Sequence, residues 1–103
     1  MKTHPKKEIR IICEMPIVRR LRAHLDRAPI TGYTILPAIG GRGSEGNWSR
    51  EGLIGDAGQM VVVIIILDPA NLDALLDDLY EVISDQIGVI TISDVSVVRP
   101  DRF

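Results

Sequence analysis

The chain has 103 residues, 46% of them hydrophobic, which suits one domain spanning 1–103 with its own core and excludes wholesale disorder. Twelve Lys+Arg against fourteen Asp+Glu leave a net charge of −2, so a nucleic-acid binder working through a global positive field is disfavoured. A single cysteine forbids an intrachain disulfide and fits a reducing compartment, and no apolar run approaches the roughly 20 residues of a membrane span, so the expectation is a soluble, cytoplasmic protein without a signal peptide.

Ile9, Ile11 and Cys13 alternate with Glu8, Arg10 and Glu14, the period of a strand. Pro16 then stands where a first helical turn tolerates proline. Behind it Ile17, Leu21, Leu25 and Ala28 mark one face of a helix that ends near Ala28-Pro29, with Arg19, Arg20, Arg22 and Arg27 elsewhere. Residues 32–39 read as a second strand, and Pro37 within it demands an edge or a bulge. Residues 40–58 hold seven glycines and few aliphatic residues, which predicts a long mobile loop of the kind that usually carries function.

Met60 to Leu67 is an unbroken aliphatic run, expected as a strand covered on both faces at a sheet centre or a subunit contact. Asp68-Pro69 reads as an N-cap and a first-turn proline. Leu72, Leu75, Leu76, Leu79 and Ile83 mark the face of a second helix, with Asp73, Asp77 and Asp78 on the solvated side. A last strand runs from Val89 to Val98 and Pro100 stops it. The order β-α-β-β-α-β predicts an α+β, ferredoxin-like sandwich: a four-stranded antiparallel sheet with both helices on one face. The other face would be bare, and its aliphatic character predicts burial in an oligomer.

Gly41-Arg42-Gly43-Ser44-Glu45-Gly46 matches G-x-G-x-x-G, yet the further glycines at 52, 55 and 58 leave no helix to receive a pyrophosphate, so a dinucleotide fold is rejected. The physics of the glycines remains: a bare backbone lets an anion approach its N–H groups, and Arg42 adds a forked cation. The bland alternative is a flexible hairpin tip. His24 reads as a solvated histidine and Cys13 as a small buried hydrophobe. Trp48, the one tryptophan, stands in a stretch with no local core. It either tucks back onto the body or anchors a partner, with Arg50 beside it. The tail Arg99-Pro100-Asp101-Arg102-Phe103 is either a frayed end or a phosphate clamp.

Several of these segments together resemble the PII signal-transduction superfamily over nearly the whole chain. They are Gly32-Tyr33-Thr34, Gly40-Gly41-Arg42-Gly43, the aliphatic third strand, Gln86-Ile87-Gly88, and Val97-Val98-Arg99-Pro100-Asp101-Arg102. The resemblance implies a homotrimer with adenine nucleotides in three clefts between subunits. It also implies that 40–58 is a T-loop that changes shape and docks on a protein partner, with the segment 99–103 completing the site. The turn that carries a phosphate-gripping lysine in nitrogen-regulatory members is here Gly88-Val89-Ile90-Thr91. The chain therefore looks closer to the divergent branch associated with carboxysomes and bicarbonate transporters, and the expected ligands are ADP, AMP, cyclic AMP or ATP, with bicarbonate.

On that resemblance, Gly32, Tyr33, Thr34 and Ile66 would line the adenine slot, and Gly40, Gly41, Arg42, Gly43, Gly88, Arg99 and Arg102 would meet phosphates. A bicarbonate needs N–H donors and a cation, which Gly41, Arg42, Gly43 and Ser44 offer together. No obligatory cofactor, metal or nucleic acid is expected, and a membrane only through a protein partner such as a transporter or carbon-fixation component; carboxysome association is one option for location. A weak nucleotide hydrolase and another small-molecule-binding ferredoxin-like module are the competing classes. No histidine, carboxylate pair or metal cluster near the loop favours the first.

Overall fold

The computed structural model describes residues 1–43, 46–49, 58–84 and 88–102, the last without its side chain. The element order is β1 (His4–Glu14), α1 (Met15–Arg27), β2 (Tyr33–Pro37), β3 (Gly40–Gly43), β4 (Gly46–Ser49), β5 (Met60–Leu67), α2 (Leu72–Ile83) and β6 (Gly88–Val97). Short 3-10 turns at Pro69–Asn71 and Pro100–Arg102 precede α2 and follow β6. The main sheet has the order β2-β5-β1-β6, with every neighbouring pair antiparallel. This is the ferredoxin-like fold, and Pro37 ends an edge strand, where its missing N–H leaves no gap in a ladder.

Ile9, Ile11 and Cys13 from β1 meet Val61, Val63, Ile65 and Leu67 from β5 in one core with Ile17, Val18, Leu21 and Leu25 of α1 and Leu75, Leu79 and Ile83 of α2. Both helices therefore lie on the same sheet face. Fully burying one such aliphatic side chain is worth roughly 1.5–3 kcal/mol. Cys13 is part of this core, and burial with the Glu14 carboxylate nearby pushes its thiol up to about 11. It is a packing residue, as its alternation implies.

Among the described residues, no helix covers the opposite sheet face. Register places Leu36, Val62, Ile12 and Val89 side by side across all four strands. Leu36 is 44% exposed and Val89 53%. The two faces of β5 differ: Val61, Val63, Ile65 and Leu67 are buried, while Val62, Ile64 and Ile66 are half-buried.

Three local expectations change. Asp68 makes no side-chain cap for the turn that follows it. Its carboxylate pairs with the ammonium of Lys6, which is 7% exposed. A buried cation left alone costs far more than an unmade cap, so the ion pair takes the carboxylate. His24 is half-buried rather than solvated, and its Nδ1 lies 2.7 Å from Asp78 Oδ1, so Asp78 faces α1 while Asp73 and Asp77 stay exposed. Finally, within the 40–58 segment Gly40–Gly43 and Gly46–Ser49 pair as a two-stranded ribbon, β3–β4, the hairpin that stood as the alternative reading.

Candidate loop-base anion site

The β3–β4 ribbon pairs Gly40 with Ser49, Gly41 with Trp48, Arg42 with Asn47 and Gly43 with Gly46. Glycine supplies what this ribbon needs at two places. Gly46 has φ +102°, a conformation that side chains rarely tolerate. At Gly41 a Cβ would stand 2.7 Å from Trp48 Cζ2, so the indole can close down only because the side chain is missing. Trp48 is half-buried in this position, and the other ribbon residues, Arg42 included, are exposed. Nothing lies within 4 Å of the Cβ position at Gly43. The ribbon therefore leaves open space at Gly43 beside the exposed guanidinium of Arg42, a cation suited to an anion. Ser44 and Arg50, also expected at this site or its partner surface, lie outside the described residues.

Register decides which of the other expected site residues can join them. One row across the sheet runs Pro37, Val61, Cys13, Gly88, so Gly88 stands at the same end of the sheet as the point where the chain leaves β2 for the ribbon. A Cβ on Gly88 would approach the Ile12 carbonyl oxygen to 3.0 Å, so the two backbones run close there. Gln86 and Ile87 of the same turn lie outside the described residues.

Tyr33, Thr34 and Ile66 sit in rows near the middle of the sheet. Tyr33 faces Ile65 and Thr34 faces Ile64, while Ile66 lies one residue further along β5, next to the level of Gly32. Thr34 and Ile66 share the bare sheet face. Tyr33 is turned to the core side, where its hydroxyl donates to Asp26 Oδ1 at 3.1 Å. Burial, and then that carboxylate, push the Tyr33 phenol above its ordinary value. Arg99 is exposed just beyond the end of β6, and Arg102 closes the last turn.

The expected residues thus spread along the sheet. Gly40–Gly43 follow β2 at the end where Gly88 stands, the rows of Tyr33 and Ile66 cross β6 near its middle at Ile92 and Ser93, and Arg99 lies past the far end. Gly88 and Val97 are the two ends of β6, about 30 Å apart at the rise of a strand. One chain therefore cannot bring Gly88 and Arg99 to the same small ligand.

Two ion pairs escaped sequence reasoning because they join residues far apart in the chain: Lys6 with Asp68, and Lys7 with Asp94. Both border a depression of about 410 Å³ lined also by Pro5, Pro69, Val95 and Ser96. Opposite charges at cross-strand positions would have flagged them only once the register was known. Among the described residues no group of three or more His, Cys, Asp or Glu could hold a metal ion. No described helix is long and apolar enough to cross a membrane.

The profile of the family described as Nitrogen regulatory protein P-II matches residues 6–102. No curated protein matches the chain. Among solved structures, CPII, a nitrogen regulatory PII-like protein from Thiomonas intermedia, superposes with a TM-score of 0.88 at 27% identity, over 99% of this chain and 96% of that one. That structure is bound to ADP, AMP and bicarbonate. A second CPII structure, bound to ADP and bicarbonate, gives a TM-score of 0.84 at 29% identity, over 99% of this chain and 97% of that one. A PII-like signaling protein from Thermus thermophilus gives 0.79 at 27% identity, over 100% of this chain and 99% of that one.

Proposed function

The chain belongs to the nitrogen regulatory protein P-II family, and on that footing we propose that it is a PII-like regulatory protein that binds adenine nucleotides and bicarbonate in clefts between the subunits of a homotrimer. The observation that carries this reading is the placement of the loop base and the tail arginine at opposite ends of one sheet. A site that uses both must take the loop base, with Gly40–Gly43 and Gly88, from one chain and Arg99 with Arg102 from another. The bare row Leu36, Val62, Ile12 and Val89 supplies an apolar face for that assembly.

In this reading ADP or AMP is the principal nucleotide, with cyclic AMP and ATP as weaker candidates. The adenine packs by Gly32, Thr34 and Ile66, and the phosphates meet the glycine backbone and the arginines. Bicarbonate sits at Gly41–Ser44, where Arg42 balances its charge. CPII, bound to the same ligands, supports the assignment at the level of ligand class. The protein acts by changing the shape of the 40–58 segment and so the grip of Trp48 and Arg50 on a protein partner in inorganic-carbon uptake or carboxysome function. It works in the cytoplasm and performs no catalysis.

Calorimetric titration with ADP, AMP, cyclic AMP and ATP, each with and without bicarbonate, tests this. Binding of ADP or AMP, strengthened by bicarbonate, is the expected result. Absence of binding by all four nucleotides overturns it, and steady phosphate release from ATP with magnesium would favour a hydrolase instead.

A further inference from the structure

The one tryptophan of the chain sits on the loop-base site rather than beside it. Its ring covers the side of Gly41 from which a side chain would project, with Cζ2, Cε2 and Cη2 at 2.7, 3.1 and 3.3 Å from the Cβ position. The neighbouring Gly40 is also closed off, because its Cβ position lies 3.0 Å from the Trp48 carbonyl oxygen. Gly43 is open. The ribbon therefore has a shut end and an open end. A ligand resting on Gly43 and Arg42 meets no obstacle, whereas one that also approaches this side of Gly41 must first move the indole.

The seat of the indole lies outside the core. Among the described residues the ribbon has two strands, an arrangement that is marginal in water on its own. Trp48 is half-buried, and the hydrophobic core contains no described residue of the ribbon. The indole can therefore leave Gly41 without drawing a core side chain with it.

We propose that Trp48 is a gate on the loop-base anion site: the indole and the ligand compete for the same side of Gly41, and binding expels the indole into solvent. This rests on the reading that the anion binds at Gly41–Gly43. Competition of this kind lowers the apparent affinity by the fraction of molecules in which the gate stands open.

The test titrates bicarbonate, in the presence of ADP, into the wild-type protein and Trp48→Ala. Removing the indole should tighten binding, by about tenfold if the gate is closed in nine molecules of ten. Acrylamide quenching of the single tryptophan in the wild-type protein should rise on addition of ADP and bicarbonate, because the ring leaves its glycine. If the wild type binds but Trp48→Ala binds equally or more weakly, or if quenching falls with ligand, the gate is overturned while the site stands. If neither protein binds bicarbonate with ADP, the reading of the site falls and the gate with it.

Discussion

His24 on α1 and Asp78 on α2 meet at 2.7 Å between the two helices, 54 residues apart in sequence. They join the two βαβ halves at a place where both side chains keep part of their exposure. The pair is half-buried, so it is worth more than a fully exposed contact and less than a buried one. His24→Ala or Asp78→Ala should each cost about 0.5–1 kcal/mol. A double-mutant cycle in urea should return a coupling of similar size, whereas additive losses would mean that the two side chains do not interact in solution.

Cys13 gives an alkaline signature. Its thiol is raised from 9.0 to about 11 by burial and by Glu14. The folded state therefore holds this proton more tightly than the unfolded chain does. The stability this represents is complete below pH 9 and is lost as pH climbs from 9 toward 11. Urea midpoints measured at about pH 8 and about pH 10.5 should fall more steeply for the wild type than for Cys13→Ala. Native protein at about pH 8 should also resist a thiol reagent that labels it promptly in denaturant.

The bare face predicts an assembly phenotype. Val89 is 53% exposed in the single chain, so an aspartate there leaves the chain's own core intact. Val89→Asp should shift the protein from trimer to monomer in light scattering with little change in circular dichroism. A wild-type chain that is monomeric at micromolar concentration would contradict the proposed trimer.

Arg42 and Arg99 offer a complementation test. Each charged hydrogen bond contributes roughly 1.5–3 kcal/mol, so Arg42→Ala or Arg99→Ala should weaken ADP binding about tenfold to a hundredfold. Arg20→Ala, on the exposed side of α1, should have little effect. Subunits carrying the two deleterious changes, unfolded together and refolded as mixed trimers, should regain some tight sites, because a cleft can take its intact loop base from one variant and its intact tail from the other. Failure of the mixture to regain any tight binding would argue against clefts shared in this way.

The fold was largely legible in the sequence, because period-two and period-3.6 patterns decide which side of each element is buried. Ile9, Ile11 and Cys13, like Leu21 and Leu25, lie where their spacing puts them. Pairings between distant elements were not legible. Nothing local to Asp68 tells that Lys6 will claim it, and nothing local to His24 tells that Asp78 will arrive. The ribbon at Gly40–Ser49 was legible only as the bland alternative, a hairpin. Its glycines signal conformational freedom, and the seat of Trp48 on Gly41 is visible only once the two strands are paired. The candidate site was legible as a set of residue types and not as a place, because its members are strung from Gly88 at one end of β6 to Arg99 past the other, and register alone reveals that.

The length of β6 has a thermodynamic consequence. If each cleft needs the loop base of one chain and the tail of another, an isolated subunit holds only half a receptor. Ligand then binds the assembly in preference to the monomer, and by mass action it must also draw subunits together. Apparent affinity should rise with protein concentration until assembly is complete and level off beyond it. Dilution, or any change that loosens the subunits, would silence the response without touching a single ligand contact.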